Sequence, residues 1–396
     1  MYGRPSSVFS TMRTYSVAGI RTNCVHRSSV AADFQTEGCE DASYISPRLS
    51  PARFEEARRL NTNANVSSML QDVAHRYGIA RYSWNVENSL YKSFAAVKIN
   101  CDEGTILLKP FVGTIKQLQS VTMMLEELWL GGYRHMPRLR RTITGGRFVV
   151  LGNDKYYATD WVEGETLDES EAHLFRLGGA LAKLHHQTIA DDSQSRNPSC
   201  PTELKLSQLR RYDARCRGIR VKGRGRTKDQ RWYVSLLPQF SQMADEAWEQ
   251  VTNSNLRHVL EEELYHRSPV HGDVTRFNVI VEPNDDIRLI DWDRVKIGSR
   301  WMEIVNALSN TARFRPVEMA ALLRGYESEA PLTKEQRQLV AALYRLPREA
   351  WYAYRRQGAN EVWNEELLSV LERTWDERVA AIDWMDAWAN GGRQAI

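Results

Sequence analysis

One ordered run of residues restricts the fold of this chain more than any other. It begins His271-Gly272-Asp273-Val274-Thr275-Arg276-Phe277-Asn278 and continues into the aliphatic Val279-Ile280-Val281. After the turn-rich Glu282-Pro283-Asn284-Asp285-Asp286, a second aliphatic stretch from Ile287 to Ile290 leads into Asp291-Trp292-Asp293. Two short apolar stretches bounded by turn residues read as the strands of a hairpin. Five positions separate Asp273 from Asn278, enough for a compact loop that returns both side chains to one cleft, and the second strand delivers Asp291 thirteen positions after Asn278. Phosphoryl transfer requires such a set: a carboxylate to receive a hydroxyl proton, and hard oxygen ligands that hold magnesium against phosphates. An isolated His-Gly-Asp is ordinarily a structural turn. The ordered whole carries the expectation of an ATP-dependent kinase.

At these motifs the sequence resembles the aminoglycoside phosphotransferase and choline kinase superfamily. Its catalytic segment reads His-Gly-Asp, four residues, Asn, then Ile-Asp-(Trp/Phe)-(Asp/Glu), and residues 271–278 and 290–293 match it. The segment Tyr156-Tyr157-Ala158-Thr159-Asp160-Trp161-Val162-Glu163-Gly164 and the long basic insert before the catalytic loop look most like the CotS-type spore-coat kinase-like proteins. The resemblance covers about residues 66–390 and implies an α+β, bilobal protein-kinase-like fold with a small antiparallel sheet lobe and a mostly helical large lobe. It further implies that Asp273 is the catalytic base, that Asn278 and Asp291 bind Mg²⁺, and that Asp293 is a second acidic group near the metal. His271 is expected to hold the loop by a hydrogen bond. Glu303 lies where the family often has an Asp that braces the catalytic loop, and a solvated carboxylate at a helix start fits its position equally.

Upstream, Ala95–Asn100 and Thr105–Phe111 read as a hairpin around Cys101-Asp102-Glu103-Gly104. Lys109 sits inside its second strand beside Leu107 and Leu108, so the cation needs a partner. On the kinase reading it meets the α- and β-phosphates of ATP. Residues 117–129 have helical periodicity through Leu118, Val121, Met124, Leu125 and Leu128, and Glu126, with Glu127 as second choice, is expected to orient Lys109. The loop expected over the phosphates, residues 85–93, contains no glycine and offers Ser89 as a phosphate contact. Strands at 147–151 and 156–162 lead into Glu163-Gly164-Glu165, an expected hinge where backbone groups from Asp160 to Val162 meet adenine. Helix 172–188 then opens the large lobe, and its Leu181-Ala182-Lys183-Leu184-His185 resembles the family's Leu-Ala-x-Leu-His helix.

The 396 residues, 42% hydrophobic and 26% charged, suffice for a flexible extension over 1–62, a small ATP-binding lobe over 63–162 and a helical large lobe over 163–396. The extension has no acidic residue before Asp33 and no apolar periodicity. No run approaches the ~20 apolar residues that span a bilayer. Five scattered cysteines without a Cys-x-x-Cys pair favour a reducing cytoplasm. Eleven Lys or Arg against two acids between Lys205 and Arg231 suggest a mobile basic loop, either a solvated linker or a surface for an anionic partner; no nucleic-acid-binding motif accompanies it. The tryptophans from Trp351 to Trp388 read mainly as core. Two functions stand open: a phosphotransferase acting on a hydroxyl of a sugar, amino alcohol or related metabolite, or a catalytically weak scaffold associated with spore-coat proteins.

Overall fold

The computed structural model of the chain describes residues 63–87, 95–189, 200–218, 227–357 and 360–391. The expected extension over 1–62, Ser89 and the middle of the basic insert lie outside the described residues. Helix α1 (Asn63–Arg76) opens the described chain and ends before Gly78, whose φ of +76° is the left-handed conformation that glycine adopts without steric cost.

This helix lies on a sheet of β1 (Tyr82–Glu87), β2 (Ala96–Cys101), β3 (Gly104–Pro110), β4 (Leu139–Arg140), β5 (Val149–Leu151) and β6 (Asp154–Asp160), with α2 (Ile115–Leu130) following β3 in the chain. The strand order is β1-β2-β3-β6-β4, with β5 on β6, and every pairing is antiparallel. Side chains alternate across β2 and β3. Val97, Ile99, Ile106 and Leu108 form one apolar cluster with Leu70, Val73 and Ala74 of α1. Lys98, Leu107 and Lys109 therefore fall on the opposite face, which roofs the cleft, and Lys109 stands opposite Tyr157 of β6. Helix α2 starts at a capping box made by Thr114 and Gln117. Its buried stripe, Leu118, Val121, Leu125 and Leu128, joins the larger core of the molecule rather than the cluster under α1.

Past β6 the chain docks at once on the hairpin of residues 279–289. Two small pieces of sheet make this possible: β7 (Glu165–Thr166) with β9 (Val279–Val281) and β10 (Ile287–Leu289), and β8 (Ser268–Val270) with β11 (Lys296–Gly298). Strand β7 pairs with β9, and the Leu167 N–H donates to the Val279 carbonyl at 2.9 Å. Gly164 is required here, because its φ is +148° and a Cβ would stand 2.1 Å from the Val281 carbonyl oxygen.

Around these sheets pack α3 (Glu171–His185), α4 (Pro201–Arg217), α5 (Lys228–Ser235), α6 (Leu237–Thr252), α7 (Ser254–Glu262), α8 (Arg300–Thr311), α9 (Pro316–Glu329), α10 (Lys334–Arg345), α11 (Arg348–Ala353) and α12 (Glu365–Ala389). The architecture is the expected α+β, two-lobed, kinase-like one. Helices α3 and α9 cross at two glycines. A Cβ on Gly178 would lie 2.0 Å from the Leu322 carbonyl oxygen, and one on Gly325 would lie 1.8 Å from that of Phe175. Trp351 and Trp375 are core residues as expected; Trp351 stacks on Trp248 with ring centroids 6.2 Å apart.

The basic insert differs from the expected loop. Its described ends are helical, in α4 and α5, because Leu206, Leu209, Asp213 and Cys216 form a buried stripe that the surrounding charge conceals in the sequence. Several of its cations have local partners: Arg217 pairs with Asp213 and Asp245, Lys228 with Glu372, and Arg210 lies over the Trp248 ring. Among the described residues no helix is long and apolar enough to cross a membrane.

Candidate active site

The loop from His271 to Asn278 joins β8 to β9, and its shape is imposed by buried hydrogen bonds. The His271 ring is fully buried, and its Nδ1 accepts the Asp273 N–H at 3.2 Å. The proton of the neutral ring is thus on Nε2, which donates to the Ile290 carbonyl at 2.9 Å. Burial also holds this imidazole below its ordinary pKa, which agrees with a structural role. Gly272 takes φ +79°, and a Cβ there would stand 2.6 Å from the Arg294 carbonyl oxygen. Loop and post-hairpin turn therefore meet backbone to backbone.

Glu303, in the first turn of α8, braces this loop and is 4% exposed. Its Oε2 accepts the His271 N–H at 3.0 Å and its Oε1 accepts the Gly272 N–H at 2.6 Å. His185 of α3 lies 2.9 Å from Oε2 through Nε2, while its Nδ1 lies 3.0 Å from the Tyr326 hydroxyl of α9. Burial disfavours the Glu303 charge, but His185 and the Gly272 N–H outweigh it and hold the carboxyl below its ordinary pKa. A solvated carboxylate at this position is excluded.

Asp273 follows on the clamped loop with its side chain 13% exposed. Its Oδ1 is buried without a hydrogen-bond partner, and its Oδ2 is 3.8 Å from Arg294 Nε. Burial pushes its carboxyl up to about 7, with Arg294 pulling the other way. Asn278 ends a 3₁₀ turn, and its Nδ2 donates to the Asp273 carbonyl at 2.9 Å, which leaves its Oδ1 for a ligand. Its own carbonyl accepts the Ile290 N–H at 2.9 Å, so the two metal candidates are joined by backbone. Asp291 leaves β10 in the left-handed region, φ 65° and ψ 60°, an uncommon conformation for a side-chain-bearing residue. Trp292 fixes the turn: its Nε1 donates to the Leu289 carbonyl at 2.7 Å, and its ring meets His271 edge-on at 4.5 Å.

Lys109 reaches this cluster from the roof and pairs with Asp291 and with Asp293, the latter at 2.9 Å. Burial alone would lower its pKa. Tyr157, Asp291 and Asp293 hold it well above the ordinary lysine value. Burial likewise works against the Asp291 charge, yet Lys109 keeps that carboxyl below its usual range.

One expected assignment needs correction. Glu126 does not orient Lys109, because its carboxylate is held by Arg141 and by Arg147, the latter at 2.6 Å. Glu127 does not replace it, since its Oε2 is buried without a hydrogen-bond partner. Asp293, expected near the metal, pairs with Lys109 through Oδ2 at 2.9 Å, the cation that also pairs with Asp291, and accepts the Tyr157 hydroxyl through Oδ1 at 2.7 Å. At the hinge, the Asp160 N–H donates to the Arg138 carbonyl at 2.9 Å and its carboxylate pairs with Arg140, so adenine would have to use other groups of that segment. Val162 makes no backbone hydrogen bond among the described residues. Tyr157, Arg294 and His185 with Tyr326 carry no assignment from sequence alone. Of these only His185 offers a sequence signal, as the last residue of Leu181-Ala182-Lys183-Leu184-His185.

The oxygens of Asn278 and Asp291, beside an Asp273 whose Oδ1 has no hydrogen-bond partner, suit Mg²⁺, which takes few protein ligands and completes its shell with water and phosphate. Among the described residues no group of three or more His, Cys, Asp or Glu forms an all-protein metal cage.

Comparison with known proteins bears on the family and the fold. Residues 135–340, more than half of the chain, match the model of a family described as the phosphotransferase enzyme family. The chain is similar to the crystal structure of an aminoglycoside phosphotransferase from Alicyclobacillus acidocaldarius, with TM-score 0.65 and 16% identity over 81% of this chain and 96% of that one. It is also similar to a spectinomycin phosphotransferase solved with ADP and spectinomycin, with TM-score 0.55 and 15% identity over 81% of this chain and 98% of that one. At these identities the likeness is one of fold. No curated protein matches the sequence.

Proposed function

The chain belongs to the phosphotransferase enzyme family, and on that premise we propose that it transfers the terminal phosphoryl group of ATP, held with Mg²⁺, to a hydroxyl of a small molecule such as a sugar or amino alcohol. One observation carries the reading: Asp273 is a buried carboxylate with pKa about 7 and a free Oδ1, on a loop whose two preceding N–H groups are clamped by Glu303. A general base works best when its pKa lies near the working pH, and here the geometry is fixed before any substrate arrives.

In this reading the Asp273 carboxylate takes the proton of the acceptor hydroxyl. Asn278 Oδ1 and the Asp291 carboxylate would hold the metal, and Lys109 would meet phosphate oxygens. The peptide groups of Val162 and the remaining ones around Asp160 receive adenine. Bound ATP and Mg²⁺ supply an activated phosphoryl group and spread the charge that develops on it. Arg294, 3.8 Å from Asp273, offsets the negative charge of the three carboxylates gathered there. The narrower form of the proposal places the protein among CotS-type relatives at the spore coat.

Isothermal titration of the purified protein with ATP, with and without Mg²⁺, tests the reading alongside Asp291→Ala. Magnesium-dependent binding that disappears in the variant is expected and opens an acceptor screen. A folded wild-type protein that binds no nucleotide leaves the scaffold instead.

A further inference from the structure

Kinase-like sites need a carboxylate that keeps the phosphate-binding lysine extended over the cleft, and neither α2 glutamate does so here. Glu126 is spent on Arg141 and Arg147. The two carboxylates that do touch Lys109 differ in what else is asked of them. Asp291 must release the lysine when it takes a metal. Asp293 is held from two sides, since the Tyr157 hydroxyl donates to its Oδ1 at 2.7 Å and its Oδ2 lies 2.9 Å from Lys109 Nζ.

Tyr157 is placed to do this by sheet register. It stands opposite Lys109 in the β3–β6 pairing, so both side chains leave adjacent strands toward the same point. It is 3% exposed, and burial keeps its hydroxyl protonated, hence a donor. A tyrosine on a central strand has two side-chain torsions to fix, so the hydrogen bond orients Asp293 more firmly than a long side chain on a helix surface would.

We propose that Asp293, oriented by Tyr157, is the standing partner of Lys109, and that Tyr157 is thereby a positioning residue for nucleotide binding. The place commonly filled from a helix is filled here from the turn after the catalytic hairpin. The link to nucleotide rests on the phosphotransferase reading; the orientation of Lys109 does not.

The test has two arms on the full chain. In the nucleotide-free protein, the rate of acetylation of the Lys109 amine by acetic anhydride, followed by peptide mass spectrometry, reports how firmly it is held. Tyr157→Phe and Asp293→Asn are expected to speed labelling of Lys109 severalfold, and Glu126→Gln to leave it unchanged. In the second arm, Mg·ATP affinity falls roughly tenfold in Tyr157→Phe, the size of losing one charge-assisted hydrogen bond, with little change in thermal midpoint. The double variant Tyr157→Phe/Asp293→Asn loses no more than Asp293→Asn alone. Equal labelling of Lys109 in wild type and Tyr157→Phe overturns the proposal, as does a Glu126→Gln variant that matches Asp293→Asn in either arm. Should wild type bind no Mg·ATP while the labelling order holds, the positioning stands and the phosphotransferase reading falls.

Discussion

Replacing Asp273 by Asn should stabilise the nucleotide-free protein, and by an amount that depends on pH in a calculable way. Asp273 has a folded-state pKa of about 7 against an ordinary 3.8, because the folded protein buries the carboxyl and leaves Oδ1 without a partner. An acid whose pKa is raised by folding binds its proton more tightly in the native than in the unfolded state. Its contribution therefore turns unfavourable as pH rises from about 4, and levels off above about 7 to 8. A difference of about three in pKa, at 1.36 kcal/mol each, amounts to about 4 kcal/mol. Asparagine has a similar shape and no charge to bury. Urea unfolding followed by tryptophan fluorescence, on metal-free wild type and Asp273→Asn from pH 4.5 to 8.5, gives the difference in stability at each pH. Titrating groups remote from Asp273 are common to both proteins and cancel. The gap should widen by about 3–4 kcal/mol toward high pH, in favour of the variant, while phosphoryl transfer falls by about 10²–10⁴-fold. A gap of the same size at pH 4.5 and pH 8.5 would refute the claim that burial tunes this carboxylate.

Glu303→Gln turns one acceptor oxygen toward the His271 and Gly272 N–H groups into a donor, and should cost about 3 kcal/mol in thermal or urea unfolding along with most of the turnover. Glu303→Asp keeps the charge and should recover part of both. Gly164→Ala forces a Cβ to within 2.1 Å of the Val281 carbonyl at a φ of +148°, so the hinge must leave β9; a fall in thermal midpoint together with a lower catalytic rate is expected in assays at saturating ATP. In Lys109→Met the carboxylates of Asp291 and Asp293 lose their shared cation. The stability that Lys109 confers is present above the ordinary carboxyl pKa and lost as pH falls, so wild type and variant should converge in melting point at acid pH and separate at neutral pH. Added Mg²⁺ should raise the variant's neutral-pH midpoint more than that of wild type.

The parts of the site that are legible in the sequence are those closed by short stretches of chain. The Asp273-to-Asn278 loop and the β9–β10 hairpin need nothing beyond neighbours a few positions apart, so residue type and spacing suffice. Glu126 misleads for the opposite reason. Helical phase places it on a face, but which cations face it depends on Arg141 and Arg147, which follow on separate segments and meet it only in the folded molecule. Tyr157 can be paired with Lys109 only by knowing the register between two strands that are distant in the chain. Glu303 is ambiguous because a first-turn glutamate looks the same whether it faces water or three buried donors. The α4 helix carries a readable signal under a misleading one: Leu206, Leu209 and Cys216 keep a helical period beneath the arginines.

The crossing of α3 over α9 ties chemistry to residues far from any reacting atom. Gly325 abuts the Phe175 carbonyl, and the next residue, Tyr326, holds His185, which holds Glu303 and through it the loop of Asp273. A methyl group at Gly178 or Gly325 would push two helices apart and would be felt, three hydrogen bonds later, as a misplaced base. Screens for lost turnover should therefore recover alleles at this crossing that are folded, bind nucleotide and still fail to turn over, a class that a map of distances to the acceptor would miss.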